Sequence, residues 1–512
     1  MATESFFACD KRIKLGIWGL GRGSSFIRSA KALNIDVVSG CDFHETVRER
    51  FRTVCPEAFV TADADAFLAS DIDAVLVATY CPDHATHAIQ ALRAGKHVLS
   101  EVTAFFTPAQ GVALVEAAEA SGTVYNLAEN YPFSLPNLYL ARLWKEGFFG
   151  DLAYAEYEYV HGVGRCFTNP DGTPLEPGNR VHHWRGWLNY HYYCTHSLGP
   201  VMVITGLRPE KVAAFPADVE NFGVIKGQGR KRDGILPGLG AFAPSLIRMS
   251  NGGIMRNLMG GTTADSHRQR LFGTKASAEM PPLCLKVGAT GSAMPIRVTP
   301  TWDQLGDLGR LAAETGHGGG DFWVLYYFAR QILTGEKAPW DIYSAADVTL
   351  AGIQALRSAE AEGAPMEIPD FRDRAARDRY RADTWQQKHI DPYRIFPDDQ
   401  NLAVTGDFSA VGCALNDAAT QVRKALDAMK VFPLASAEDQ IAILALVKAV
   451  RDAAPEYAET YARARRIVDA YPGSQGGRAL RELLTDVGEE TRVMRPDSFV
   501  GELNAWLLQS PA

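Results

Sequence analysis

Two stretches of this chain carry residues with chemistry to offer. The first, His182-His-Trp-Arg-Gly-Trp-Leu-Asn-Tyr-His-Tyr-Tyr-Cys-Thr-His196, crowds histidines, aromatic rings and the guanidinium of Arg185 into one short segment. Histidine exchanges protons near neutral pH, aromatic rings offer apolar faces, and arginine donates hydrogen bonds in a fixed fork. Together they suit a polar, hydroxylated ring, such as a sugar. The second, Lys14-Leu-Gly-Ile-Trp-Gly-Leu-Gly-Arg-Gly-Ser24, reads as a strand running into a glycine turn. Gly19, Gly21 and Gly23 would let backbone amides approach a pyrophosphate at the start of the following helix. Ser24 stands where the third glycine of GxGxxG is usual. Asp42 ends the next apparent strand, where an acidic side chain takes adenosine ribose hydroxyls and repels a 2′-phosphate. The cofactor expected is therefore NAD rather than NADP. No metal is expected: the histidine spacings match no compact zinc motif, and no cysteine cluster accompanies them.

These residues need elements to hold them. Residues 1–12 read as an N-terminal arm. Residues 13–150 alternate strands with helices. Ile13–Trp18, Asp36–Cys41, Ala74–Ala78, His97–Leu99 and Thr123–Leu127 read as strands. Ser25–Leu33, Glu45–Arg52, Ala85–Ala94 and Pro108–Ser121 read as helices. That alternation predicts a doubly wound parallel sheet, an α/β Rossmann domain. From residue 151 the hydrophobic period moves toward two. Asp151–His161 reads as a strand, and Asn251-Gly252 as a hairpin turn. Residues 151–385 are predicted to form a second, α+β domain on an open, mainly antiparallel sheet, with helices at Phe322–Leu333 and Ala345–Ala361. Residues 386–512 read as a linker and a helical extension. Its clearest helices are Ala419–Met429, Glu438–Ala453 and Tyr457–Ala470, and a Gly473–Gly477 break precedes a last pair.

Bulk properties narrow the function. The 512 residues carry a formal charge of -8, are 46% hydrophobic and 22% charged. An acidic balance without a basic block argues against a nucleic-acid partner. No apolar run is long enough for a bilayer, and no secretory signal is read at the N-terminus. The eight cysteines are scattered, which fits reduced thiols in a cytoplasm.

Ala78-Thr-Tyr-Cys-Pro-Asp-His84 and Ala91-Leu-Arg-Ala-Gly-Lys-His-Val-Leu-Ser-Glu-Val-Thr103 resemble the Gfo/Idh/MocA oxidoreductase superfamily. That superfamily joins a Rossmann domain to an open antiparallel sheet. Its Glu-Lys-Pro motif reads Glu101-Val102-Thr103 here, so the lysine that assists proton transfer at an oxidised carbinol is missing. Further motifs resemble one branch, the NAD-dependent glycosidases of glycoside hydrolase family 109. They are Glu101-Val102, Ala128-Glu129-Asn130, Tyr159-Val-His161, Tyr193-Cys-Thr-His-Ser-Leu-Gly-Pro200, and Gly316-His-Gly-Gly-Gly-Asp-Phe322 with Tyr326 after it.

The resemblance implies roles. Leu20, Gly21 and Arg22 would meet the phosphates of NAD. His84, Glu101, Val102 and Asn130 would line its nicotinamide. Glu129, Tyr159, His161, Tyr193, Thr195, His196 and Tyr326 would surround a small-molecule carbohydrate, with Arg185. Tyr159 or His161 would move protons at C2 and C3, with His196 as the second acid/base. The implied chemistry is redox-neutral: C3 oxidation, C2 deprotonation, loss of the anomeric group, addition of water and return of the hydride. Such enzymes stand outside the two-carboxylate scheme. The alternative is net NAD-dependent oxidation of a sugar, cyclitol or sugar acid; a non-catalytic NAD sensor is a further rival. The resemblance also makes a homo-oligomer through the open sheet an expectation.

Overall fold

The computed structural model describes residues 7, 9–161, 188–215, 242–260, 266–288, 294–387, 402–472, 480–481, 484–485 and 496–509. The first sheet holds β1 (Ile13–Trp18), β2 (Ile35–Cys41), β3 (Phe59–Thr61), β4 (Ala74–Val77), β5 (His97–Ser100) and β6 (Tyr125–Leu127). The order is β3-β2-β1-β4-β5-β6, and every pairing is parallel. Its helices are α1 (Ile27–Ala32), α2 (Glu45–Val54), α3 (Ala64–Ala69), α4 (His84–Arg93) and α5 (Pro108–Ser121). β4 is buried at every position, as a strand covered on both faces must be. Sequence sets the ends of α5. Thr107 and Gln110 form a reciprocal capping box, Pro108 opens the first turn, and Gly122 closes the helix at φ 64°. β3 and α3 escaped the sequence reading. Both are short, and α3 rests on its cap, where Asp63 accepts from the N–H groups of Asp65 and Ala66.

After α6 (Leu135–Lys145) comes β7 (Leu152–Val160), then α7 (Thr195–Thr205). β8 (Pro209–Ala214), β9 (Phe242–Met249), β10 (Ile254–Gly260), β11 (Gln269–Gly273), β12 (Ala276–Met280), β13 (Cys284–Val287) and β14 (Met294–Arg297) follow. The chain continues through α8 (Gly306–Ala313), α9 (Gly320–Thr334), α10 (Ile342–Glu360), β15 (Met366–Glu367) and α11 (Arg374–Asp378). The sheet order is β14-β13-β12-β11-β7-β10-β9-β8-β15. β7 and β10 run parallel and the other pairs are antiparallel. The β9–β10 hairpin turns at Asn251-Gly252, with Gly252 at φ 86°.

The alternation along β7 decides which side chains face the site. Ala155, Tyr157 and Tyr159 are buried on the face against α7. Glu156 and Glu158 lie on the other face, paired with Arg270 and Arg256 at 3.1 and 2.8 Å.

The C-terminal helices are α12 (Leu402–Val431), α13 (Ala437–Asp452), α14 (Ala454–Ala470) and α15 (Pro496–Gln509). They close on a core of their own, with Leu415, Val422, Val447, Ala464, Phe499 and Leu503 buried together. The expected Gly473–Gly477 break lies outside the described residues. Among the described residues no helix is long and apolar enough to cross a membrane.

Candidate active site

The carboxyl ends of the parallel strands converge on one crevice, where doubly wound sheets bind ligands. β1 delivers the glycine turn. Gly19 adopts φ +92°, and a Cβ there would lie 2.3 Å from the Ala78 carbonyl oxygen. At Gly23 a Cβ would lie 2.4 Å from Ile17 Cγ2, so only glycine lets the turn close onto its strand. β2 delivers Asp42. Its carboxylate accepts from the backbone N–H groups of Leu20 at 2.8 Å and His44 at 2.9 Å. Burial pushes the Asp42 carboxyl up, against the pull of those two bonds. Each oxygen keeps a further lone pair for a ribose hydroxyl. A cavity of about 400 Å³ opens here, lined by Trp18, Gly19, Gly21, Asp42, Tyr80 and His87 among others.

His84 stands at the start of α4, with both ring nitrogens against backbone carbonyls, Thr79 at 3.0 Å and Thr103 at 3.2 Å. Burial pushes its pKa down. The ring thus joins two strand-end loops. Arg22 also turns inward. Its guanidinium meets Glu101 at 2.8 Å and Asp321 of α9 at 2.7 and 2.9 Å. Burial alone would lower Arg22, but its carboxylate partners hold it raised. Burial would likewise raise Asp321, yet Arg22 and His317 hold it well below the usual carboxylate range. The Arg22 side chain is thus an ion-pair hub, and its backbone belongs to the glycine turn.

Asn130 follows β6. Its Nδ2 donates to Asp321 at 2.9 Å, while its Oδ1 is buried without a protein partner. Gly320 lets α9 approach, since a Cβ there would lie 2.4 Å from the Asn130 carbonyl. An orphaned, pinned carboxamide oxygen at the β6 end of the strand-end crevice, with the glycine turn after β1 and Asp42 after β2 further along it, fits a nicotinamide dinucleotide, whose amide and ribose groups are donors.

The residue before Asn130 begins the second half of the site. Glu129 is fully buried. One oxygen accepts from Tyr131 N–H at 3.0 Å, and the other meets His196 Nδ1 at 2.8 Å. A carboxylate can only accept, so Nδ1 carries the proton and Nε2 is left free to take one. α7 can come this close because Gly199 faces Glu129, where a Cβ would lie 3.2 Å from Cγ.

Aromatic rings enclose the pair. Tyr131 stacks on His196 with centroids 4.4 Å apart, Tyr193 lies at 4.5 Å and Tyr159 meets His196 edge-on at 4.7 Å. His161 lies 5.7 Å from Tyr159, and His267 lies 5.2 Å from it on the same side as Tyr131. Thr195 is buried beside the His196 ring at 3.4 Å.

The structure thus gathers Glu129, Tyr159, His161, Tyr193, Thr195 and His196. It adds Tyr131 and His267, which the sequence reading missed. Tyr131 directly follows the Glu129-Asn130 pair, and that adjacency was the available signal. Tyr326 packs elsewhere, its ring stacked on Phe7 at 5.6 Å and against Trp323 at 5.3 Å. Val102 is buried, and Arg185 lies outside the described residues. The two motif departures point away from the rings. Thr103 donates to the Tyr192 carbonyl at 2.8 Å, and Cys194 faces the Val348 carbonyl of α10 at 3.4 Å. Burial pushes the Cys194 thiol up to about 12.

The strand-end crevice and its glycine turn define an NAD-binding Rossmann enzyme. Residues 13–129 match the oxidoreductase family with an NAD-binding Rossmann fold, Gfo/Idh/MocA, and residues 299–377 match the glycosyl hydrolase 109 C-terminal domain. The chain is thus similar to the Gfo/Idh/MocA oxidoreductases over its Rossmann domain and to the glycosyl hydrolase 109 family over part of its second domain.

It is 26% identical over 344 residues to an alpha-N-acetylgalactosaminidase of Tannerella forsythia, covering 58% of this chain and 70% of the relative. It is 25% identical over 419 residues to a glycosyl hydrolase family 109 protein of Shewanella putrefaciens, covering 70% of this chain and 85% of that protein. Among solved structures, a levoglucosan dehydrogenase in complex with NADH is similar in fold (TM-score 0.57, 17% identity, 70% of this chain and 100% of that one). So is an inositol dehydrogenase homologue from Azotobacter vinelandii complexed with NAD+ (TM-score 0.54, 19% identity, 72% and 100%).

Proposed function

We propose that this enzyme hydrolyses glycosides, α-N-acetylgalactosaminides foremost, by a redox-neutral cycle on bound NAD. The observation that carries the reading is the buried Glu129–His196 pair under Tyr131, one residue from the Asn130 that faces the cofactor crevice. Bound NAD supplies reversible removal of hydride from the sugar C3 carbinol. Everything else falls to side chains. Glu129 fixes the His196 tautomer, so that Nε2 can take the C2 or C3 proton. Tyr159 and His161 stand beside it for the second transfer. Tyr193 and Tyr131 provide faces for the sugar ring and exclude water. The superfamily's lysine, replaced by the buried Val102, has no part to play, and an acid/base has to come from the tyrosines and histidines.

The test uses purified protein without added cofactor. Its nucleotide is released and assayed, and native protein is incubated with 4-nitrophenyl glycosides in D2O. Co-purified NAD, nitrophenol without net NADH, and deuterium at C2 are expected. Stoichiometric NADH from free sugars, with no deuterium at C2, would overturn the reading in favour of a dehydrogenase.

A further inference from the structure

We propose that Thr103 is a positioning residue, whose hydroxyl sets the spacing between the cofactor crevice and the side chains that handle the sugar. The proposal rests on the hydride step of the glycosidase reading. Two strand-end loops of the Rossmann domain each face both ways. After β5, Glu101 reaches back to the glycine turn through Arg22 at 2.8 Å, and Thr103 reaches forward, donating to the Tyr192 carbonyl at 2.8 Å. After β6, Asn130 meets Asp321, the other carboxylate on Arg22, and Glu129 meets His196. β5 and β6 are neighbours in the sheet. The segment carrying Tyr193 and His196 is therefore pinned to adjacent strands at two points.

The two pins differ in kind. Glu129 and His196 are both ionisable side chains. Thr103 and Tyr192 meet through a hydroxyl and a peptide carbonyl, so that contact can only hold a distance. Its surroundings are built to hold it. Thr103 is 2% exposed and Tyr192 1%. The Phe106 ring stacks on the Tyr192 ring at 4.6 Å, and the Tyr192 hydroxyl accepts from the Gln387 N–H at 3.3 Å. On the other side, His84 Nδ1 lies 3.2 Å from the carbonyl of Thr103 itself.

A shift at Tyr192 has a short path to the site. Tyr190–Tyr193 is a single 3-10 turn, capped by Asn189, which accepts from the His191 N–H at 3.0 Å. Tyr193 closes that turn, and α7 begins at Thr195, one residue before His196. Hydride transfer needs its reacting atoms within ~3–3.5 Å, and a misplacement of about 1 Å can cost about 100-fold. The Thr103 contact therefore bears on C3, where the sugar must meet the nicotinamide. Removal of the C2 proton uses groups inside the ring cluster and does not depend on that spacing.

The experiment compares wild type, Thr103→Val and Thr103→Ser, full chain with NAD bound. The probe is 4-nitrophenyl α-N-acetylgalactosaminide, unlabelled or deuterated at C3 or at C2. Valine keeps the shape and loses the hydroxyl; serine keeps the hydroxyl. In Thr103→Val, reduction of the bound nucleotide, followed by its near-ultraviolet absorbance in a single turnover, should slow about 100-fold. The C3 isotope effect on turnover should rise and the C2 effect shrink, because hydride transfer has become the slow step. Without any substrate, amide exchange at residues 190–196 should quicken. Thr103→Ser should recover the rate and both isotope effects. Phe106→Leu keeps the hydroxyl but loses the stacked ring, and should show the same shift more weakly. A variant that merely folds less well loses rate with both isotope effects unchanged; that result for Thr103→Val, or no recovery in Thr103→Ser, overturns the positioning role. Wild type in which no deuterium passes from C3 to the nucleotide overturns the glycosidase reading and the role of Thr103 with it, and that result is visible before any substitution.

Discussion

Two buried carboxylates lie close together along one crevice and are neutralised in different ways. Asp321 is held by Arg22, a cation that keeps its proton under all ordinary conditions. Glu129 is held by the ring of His196, a residue type that exchanges protons. The first pair makes a fixed structure: it ties α9 to the glycine turn and, through Asn130, orients a carboxamide toward the cofactor crevice. The second pair joins the end of β6 to α7 through a neutral or charged imidazole in place of a permanent cation. The choice of partner thus separates the framework from the chemistry within a single site.

The largest expected effect breaks the second pair. In Glu129→Gln the amide must place its oxygen toward either Tyr131 N–H or His196, and the other then meets an NH2. If the NH2 faces His196, Nδ1 becomes the acceptor and the proton moves to Nε2, which can no longer act as a base. Turnover should fall ~10²–10⁴-fold, measured as single-turnover nitrophenol release. A loss of less than about tenfold would mean that Glu129 only fills space.

The Arg22 pair answers to stability instead. Asp321→Leu leaves the buried Arg22 guanidinium with Glu101 and the Ser25 hydroxyl and removes the partner of Asn130 Nδ2. Removing one partner of a buried pair should cost about 3 kcal/mol. Urea unfolding measures it, and less NAD should co-purify. An unchanged unfolding midpoint would show that Glu101 suffices.

How much of this was legible beforehand follows the same division. The framework half is written in contiguous residues at strand ends: Gly19 after β1, Asp42 after β2, Glu101 after β5 and Glu129-Asn130 after β6. A hydrophobic period and a turn place each of them without knowledge of any distant contact. The chemical half is assembled by strand pairing and ring packing. Nothing near His267 in sequence announces that β11 will lie beside β7 in the register that sets it against Tyr159. α7 was hidden too, because Gly199 and Pro200 disfavour a helix that burial nonetheless imposes. Tyr326, a motif neighbour on α9, stacks its ring on Phe7, a contact no local pattern announces.

A third buried group is held in another way. His191 lies two residues before Tyr193 and is also buried, but its Nδ1 has no partner, and burial alone pushes its pKa down to about 4. The folded value lies below the unfolded one, near 6.5. The stability linked to neutral His191 is therefore present above about pH 6.5 and lost as pH falls toward 4, because the unfolded chain binds the proton first. Between pH 7.5 and pH 5 the loss should be about 2 kcal/mol, and His191→Gln, which does not titrate there, should remove it. The measurement is the difference between variant and wild-type urea stability at the two pH values. Taking that difference matters because Asp347, raised to about 6 by burial, gains stability on acidification in both proteins and cancels. Parallel pH profiles would mean that His191 finds a proton acceptor once charged.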